Sequence, residues 1–279
     1  MPDLPLYFST AGCWLLLAVM ALRGTRPAAM AGGSIASASP VRADLWLVPV
    51  ALVLHGMLLY RRVLQGEGLD LGVANAVSML AWLTVFIYWL AGLAYPGLAS
   101  IFGVVAPVAF VAVVIQALVP SSHVVTYGGD PLFALHFVIA MLAYSLFFIA
   151  TIHALVMLAE ERWLHRGVMP PMLRSLPPLL EMEALLFRIL LAAFVLLTFT
   201  LVSGVFFSEQ LFGRPFKTTS HKMVFAFISW LIFGGLLVGR HLRGWRGRKA
   251  VHWTLAGFTA LLLAYVGSKV VLELVLKRG

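Results

Sequence analysis

Eight stretches of this chain are long, apolar and nearly free of charge, and that pattern leaves few ways to fold. They lie at 5–22, 45–60, 71–93, 98–119, 132–159, 187–207, 222–239 and 251–275. About twenty apolar residues wound as a helix match the hydrocarbon thickness of a bilayer, and a helix satisfies its own backbone in lipid. The predicted fold class is therefore all-α, a polytopic membrane bundle of about eight transmembrane helices. Composition agrees: 62% of the 279 residues are hydrophobic and 11% charged, where a soluble domain carries about a quarter charged. With 20 basic and 11 acidic side chains, the surface of a globule this size would go unsolvated. A soluble enzyme, a disordered chain and a nucleic-acid binder are excluded, and the first partner is the lipid bilayer.

The segments between the runs read as turns and linkers. Pro96, Gly97, Pro120, Gly128, Gly129 and Pro131 mark two tight connections, and Pro107 should kink the fourth span. Arg23 and Arg26 follow the first apolar run instead of preceding it, so the run reads as a retained helix and not as a cleaved signal. Residues 24–43 are rich in Ala, Gly and Ser and read as a flexible linker. One integral membrane domain, 1–279, is expected: a first helix with a cytoplasmic linker at 1–43, then a bundle at 44–279. Odd-numbered loops and their flanking helix ends hold twelve Lys or Arg, against seven for even-numbered loops and the tail. The positive-inside rule then puts the odd loops in the cytoplasm and both termini on the outer, periplasmic side. Arg61 and Arg62 run against that rule locally.

Little in the chain other than histidine can do chemistry. Cys13 is the only cysteine, so no internal disulfide forms, and there is no C-x-x-C-H haem-attachment motif and no P-loop. No spacing suggests zinc. The histidines are His55, His123, His136, His153, His165, His221, His241 and His252, and ionisable groups within membrane spans are functional candidates by default. His165 and His252 read as solvated loop or headgroup residues, and His123 sits in a polar turn with Ser121 and Ser122. His153 lies seventeen residues beyond His136, about 25 Å deeper on a helix, and reads more readily as an interhelical hydrogen-bond partner than as a ligand. His55 and His136 each replace an apolar residue in an apolar helix, so packing and ligation weigh equally there. Headgroup anchoring explains His221 and His241 almost as well as ligation does. Ser203-Gly204 hints at the nucleophile of an intramembrane protease, but Leu201 stands where a glycine is needed, and packing between helices fits Ser203 better.

Three stretches together resemble the CcsA/CcmC-type haem-handling family of cytochrome c assembly membrane proteins, nearest its divergent branch of YpjD-like inner-membrane proteins. One is His55-Gly-Met-Leu-Leu-Tyr-Arg61-Arg62 followed by Leu71-Gly-Val-Ala-Asn75-Ala-Val-Ser78. Another is Leu135-His136 running on to Tyr144-Ser145. The last spans Thr198-Phe-Thr-Leu-Val-Ser-Gly204 to His241, Gly244-Trp245-Arg246-Gly247-Arg248, Gly257-Phe258 and Ala264-Tyr265-Val-Gly267. The resemblance covers about 45–275.

This resemblance implies a non-enzymatic, multi-pass protein of the bacterial inner membrane that binds or conveys haem, with other cytochrome c assembly or membrane transport components as partners. It nominates His136 as an outer-face haem ligand, His241 as an intramembrane one and His55 as a partner within the bundle. His153 and His221 are additional candidates. Arg61, Arg62, Arg214, Lys217 and Lys222 are candidate contacts for haem propionates, with headgroup anchoring as the alternative. Two family features are missing. The loop from Ser208 to Lys217 contains no tryptophan, and no second external histidine follows the last helix up to Gly279. Those departures carry the rival reading, a cofactor-free accessory subunit or transporter component that keeps the fold without haem.

Overall fold

In the computed structural model, which describes residues 3–24, 41–65, 68–94, 102–119, 124–126, 131–167, 176–206 and 221–267, the apolar runs become eight α-helices. They are α1 (Leu4–Gly24), α2 (Val41–Val63), α3 (Val73–Ala94), α4 (Phe102–Leu118), α5 (Pro131–His165), α6 (Leu179–Phe206), α7 (His221–Arg243) and α8 (Arg248–Leu262), the last continuing as a π-helical turn, Leu263–Gly267. Six of these are long and apolar enough to cross a membrane, and the apolar stretch of α4, Gly103–Leu118, is shorter. α4 runs through Pro107 as one element. The connections also hold three short strands, Leu64–Gln65, Gly68–Asp70 and Val124–Thr126, which an all-helical expectation omits.

The chain forms two compact units. Unit 1 comprises Met1–Gln65, Asp70–Ser121 and Trp163–Pro177; unit 2 comprises Gly66–Leu69, Ser122–Arg162 and Pro178–Gly279. In unit 1, α1 buries Thr10, Trp14, Leu17 and Ala18, one helical face. Its main neighbour, α4, presents Val105, Ala106, Ala109, Ala112 and Val113. Small residues let two backbones approach, which is how helices associate when lipid removes the hydrophobic drive. The outward faces are as apolar as the inward ones. Trp46, Val50, Val53, Met57 and Tyr60 of α2 recur every three or four residues and are all exposed, a stripe suited to acyl chains.

Unit 2 is held by tight helix crossings and one charged clamp. α7 runs antiparallel to α6: Trp230 donates to Thr198 Oγ1 at 2.9 Å and stacks on Phe194 at 5.5 Å, while Arg240 pairs with Glu183. The α7 and α8 backbones meet where Ser229 Oγ donates to the Gly257 carbonyl at 2.9 Å. A Cβ on Gly257 would sit 2.7 Å from the Phe233 ring, so only glycine allows that approach. Between α7 and α8 the chain turns at Gly244 (φ 63°) and Gly247 (φ 59°), left-handed conformations that favour glycine. The Gly244 N–H bonds back to the Arg240 carbonyl, an αL helix cap. Glu183 ties the turn down: one oxygen accepts from Arg240 and the other from the Gly247 N–H at 2.9 Å.

Candidate functional site

The interior of unit 1 holds a chain of buried hydrogen-bonding groups around His55. Trp14 of α1, His55 of α2, Asn75 and Ser78 of α3 and Gln116 of α4 are all buried. An indole N–H can only donate. The 3.2 Å contact from Trp14 Nε1 to His55 Nδ1 therefore makes Nδ1 the acceptor, and the ring proton sits on Nε2. That proton goes to Ser78 Oγ at 2.8 Å, and the Ser78 hydroxyl donates to Gln116 Oε1 at 2.8 Å. The Gln116 amide donates to Asn75 Oδ1 at 2.9 Å, and the Asn75 amide to the Asp70 carbonyl at 3.2 Å. Every bond points the same way. His55 is thus a neutral imidazole with both nitrogens engaged, and an iron could take Nδ1 only by displacing the Trp14 indole. At the same end of α1 and α2, Arg61 bonds Asp3 at 2.9 Å and the Arg62 guanidinium lies 5.9 Å from the centre of the Tyr7 ring.

In unit 2, His136 stands at the beginning of α5, where its Nδ1 lies 2.8 Å from Ser203 Oγ near the end of α6. The ring is half-buried, and Gly204 faces its Cε1 edge, 3.6 Å from where a Cβ would stand. The antiparallel register of α6 and α7 runs from the Arg240–Glu183 pair to the Trp230–Thr198 bond. Carried nine residues further, about 13 Å, it brings the start of α7 level with the end of α6, about a turn beyond Ser203. The start of α7 therefore lies at the His136 end of the unit. Only the backbone of His221 is described. Lys222 follows it and is exposed; Arg214 and Lys217 lie outside the described residues, as do His123 and the tryptophan-free loop.

The remaining histidines lie elsewhere. His241 is exposed in the last turn of α7, at the Glu183 end of unit 2. His153 is fully buried; its Nε2–H donates to the Met182 carbonyl at 2.9 Å, as an interhelical partner would. Its Nδ1 has no hydrogen-bond partner among the described residues. Because His136 and His153 are seventeen residues apart on the continuous α5, about 25 Å, they cannot share one iron. His252 is exposed and bonds the Arg248 carbonyl at 2.7 Å. Among the described residues, no three His, Cys, Asp or Glu side chains gather as a metal site.

Sequence reasoning passed over Trp14 and Gln116, and it named Asn75, Ser78 and Ser203 without their partners. Gln116 did leave a signal, being the one side-chain amide in an otherwise apolar fourth span.

A model of the cytochrome c assembly protein family matches residues 46–276. The inner membrane protein YpjD of Escherichia coli K12 is 27% identical over 231 residues, 81% of this chain and 85% of that protein. The cytochrome c biogenesis protein CcsA of Prochlorococcus marinus MIT 9515 is 36% identical over 87 residues, 31% of this chain and 28% of that one. A 28.8 kDa protein of Azospirillum brasilense is 30% identical over 154 residues, 54% of this chain and 56% of its own. No solved structure matches. With six helices of spanning length, the chain is a multi-pass protein of the bacterial inner membrane. Matched over most of its length, it belongs to the cytochrome c assembly protein family.

Proposed function

We propose that this protein is a non-enzymatic haem-handling component of the inner membrane that holds haem at the outer end of unit 2. Eight spans with both termini outside, α4 and α8 being the two shorter ones, give this end its periplasmic orientation. The observation that carries the reading is the His136–Ser203 contact, at the end of the unit toward which the start of α7 runs. The donor set suits the cofactor. A neutral imidazole anchored through one ring nitrogen presents the other as a ligand, and haem iron takes such nitrogens as axial ligands. His221, at the start of α7 and toward the same end of the unit, is the second imidazole in line for this role. Lys222 there, with Arg214 and Lys217 from the preceding loop, supplies positive charge for propionates. His241 stands at the opposite end of α7, and His55 belongs to unit 1, with both ring nitrogens bonded to Trp14 and Ser78.

Purified in mild detergent from haem-sufficient cells, the protein should show a haem absorption band. His136→Ala and His221→Ala should weaken or abolish it, and His55→Ala and His241→Ala should leave it in place. Folded parent protein without any haem would instead favour a cofactor-free accessory subunit. Loss confined to His55→Ala or His241→Ala would move the site away from the outer end of unit 2.

A further inference from the structure

We infer that the turn between α7 and α8 binds an anionic phospholipid, its phosphate held by Arg243 and Arg246 and an acyl chain laid along α7. Three observations meet there. The first is charge. Arg243 closes α7, Arg246 stands in the turn, and both are exposed. Arg240 and Arg248 engage the carboxylates of Glu183 and Glu161, whereas Arg243 and Arg246 form no ion pair among the described residues. A guanidinium fork matches the oxygens of a phosphate. The Lys249 ammonium, 3.9 Å over the Trp245 ring, adds a third cation to the same turn.

The second observation is order. The Gly244 N–H bonds the Arg240 carbonyl and the Trp245 N–H the Gly239 carbonyl, each at 3.2 Å. Arg240 donates to the Trp245 carbonyl at 3.4 Å, and Glu183 accepts from the Gly247 N–H. The backbone that carries the two arginines is therefore fixed before any ligand arrives, which leaves only their side chains to be ordered. The third is an apolar approach. Phe227, Leu231, Val238 and Leu242 are all exposed and lie within about 60° of one another around α7. From Leu231 to Leu242 is about 16 Å, one leaflet's share of a hydrocarbon core about 30 Å thick, and Arg243 follows Leu242 directly. A soluble phosphate would use the arginines and leave the stripe idle. A phospholipid uses both, and its headgroup sits at the membrane surface, where basic groups attract anionic lipid. The site is at the end of α7 away from His221 and does not rest on the haem reading.

The full chain, purified in mild detergent and stripped of co-purifying lipid, is titrated by native mass spectrometry with dioleoyl phosphatidylglycerol and dioleoyl phosphatidylcholine, with inorganic phosphate as competitor. Phosphatidylglycerol should bind more tightly than phosphatidylcholine, whose chains are the same, and inorganic phosphate should not displace it. Arg243→Gln and Arg246→Gln should each weaken phosphatidylglycerol about fivefold, the share of one cation at an anionic surface. Leu242→Ser should weaken both lipids alike. Arg188→Gln, which removes the same charge from an exposed position on α6, should leave the affinity unchanged. Exposed substitutions seldom disturb folding, so melting in lipid-free detergent should match the parent. Arg243→Lys and Arg246→Lys, which keep the charge, should retain more affinity than the glutamine variants, a difference that misfolding would not produce. Equal affinity for the two lipids, or an equal loss from Arg188→Gln, overturns the inference. Displacement of the lipid by inorganic phosphate overturns it in favour of a soluble anion.

Discussion

At the scale of single residues, the hydrogen bonds of unit 1 run in one direction, from Trp14 through His55, Ser78, Gln116 and Asn75 to the Asp70 carbonyl. Each donor depends on the one before it, so removing a member strands a buried neighbour. In water-soluble proteins a stranded buried group costs about 1–3 kcal/mol. Within a membrane the unfolded chain also finds polar partners, and measured couplings average about 0.6 kcal/mol. A double-mutant cycle of Trp14→Phe and His55→Leu, followed by SDS-induced unfolding in mixed micelles, should therefore give a coupling of about 1 kcal/mol. Simple additivity would mean the indole does not hold the ring. None of this chain of bonds was legible beforehand. The sequence shows a histidine in an apolar helix, and ligand and packing readings look alike there. What decides between them is Trp14, forty-one residues away in sequence, and a serine–glutamine pair joined across thirty-eight. The same distance problem hid the contact between Ser203 and His136, sixty-seven residues apart.

At the scale of elements, hydropathy locates what lipid covers, not where a helix stops. The apolar runs at 132–159 and 187–207 become α5, which continues through Glu160, Glu161 and Arg162 to His165, and α6, which begins at Leu179. Charge ends the lipid-facing run, but the backbone keeps its helical bonds wherever side chains find partners. Glu183 finds Arg240 and the Gly247 N–H, which is why the first turns of α6 are ordered against the α7–α8 turn. The Gly-Trp-Arg-Gly stretch, legible only as a resemblance, has a steric basis here. The Trp245 ring lies on Gly239, meets the tilted Trp253 ring at 4.9 Å and carries the Lys249 ammonium at 3.9 Å. A Cβ on Gly239 would come within 2.3 Å of that ring. Gly239→Ala must push the indole out of its seat, and overpacking of this kind costs about 1–3 kcal/mol. Gly12→Ala in α1 is the matched control, since nothing lies within 4 Å of its Cβ position and alanine is the better helix former by about 1 kcal/mol. Thermal unfolding in detergent should show a clear drop for the first and none for the second; equal behaviour would refute the close Trp245–Gly239 packing.

At the scale of the whole molecule, apolar side chains cover the outward faces as well as the interior, unlike a soluble protein, and this was the most legible property of the sequence because it depends on composition along each run and not on any partner. The family match begins at residue 46, so α1 lies outside it, yet α1 supplies the Trp14 that locks His55. What neither the fold nor the apolar faces can fix is which end of the bundle is outside, because a helix is equally content in lipid either way up. Only charge breaks that symmetry, and α7 concentrates it. Arg214, Lys217 and Lys222 precede it or lie in its first turn, whereas Arg240 and Arg243 close it and Arg246, Arg248 and Lys249 follow. Five basic residues at and after its end against three before and at its start make the Arg246 side the one that resists translocation. We therefore expect the Arg246 end in the cytoplasm and the Lys222 end in the periplasm, as the haem proposal for His136 requires. In a Cys13→Ser background, single cysteines at Lys222 and Arg246 should report this with a membrane-impermeant maleimide on intact spheroplasts. Because one helix joins the two positions, they must label oppositely if α7 spans the bilayer, and the sign of the difference gives the orientation. Labelling at Lys222 alone supports a periplasmic His136; labelling at Arg246 alone would place His136 and Ser203 on the cytoplasmic side and end the case for haem presented outward.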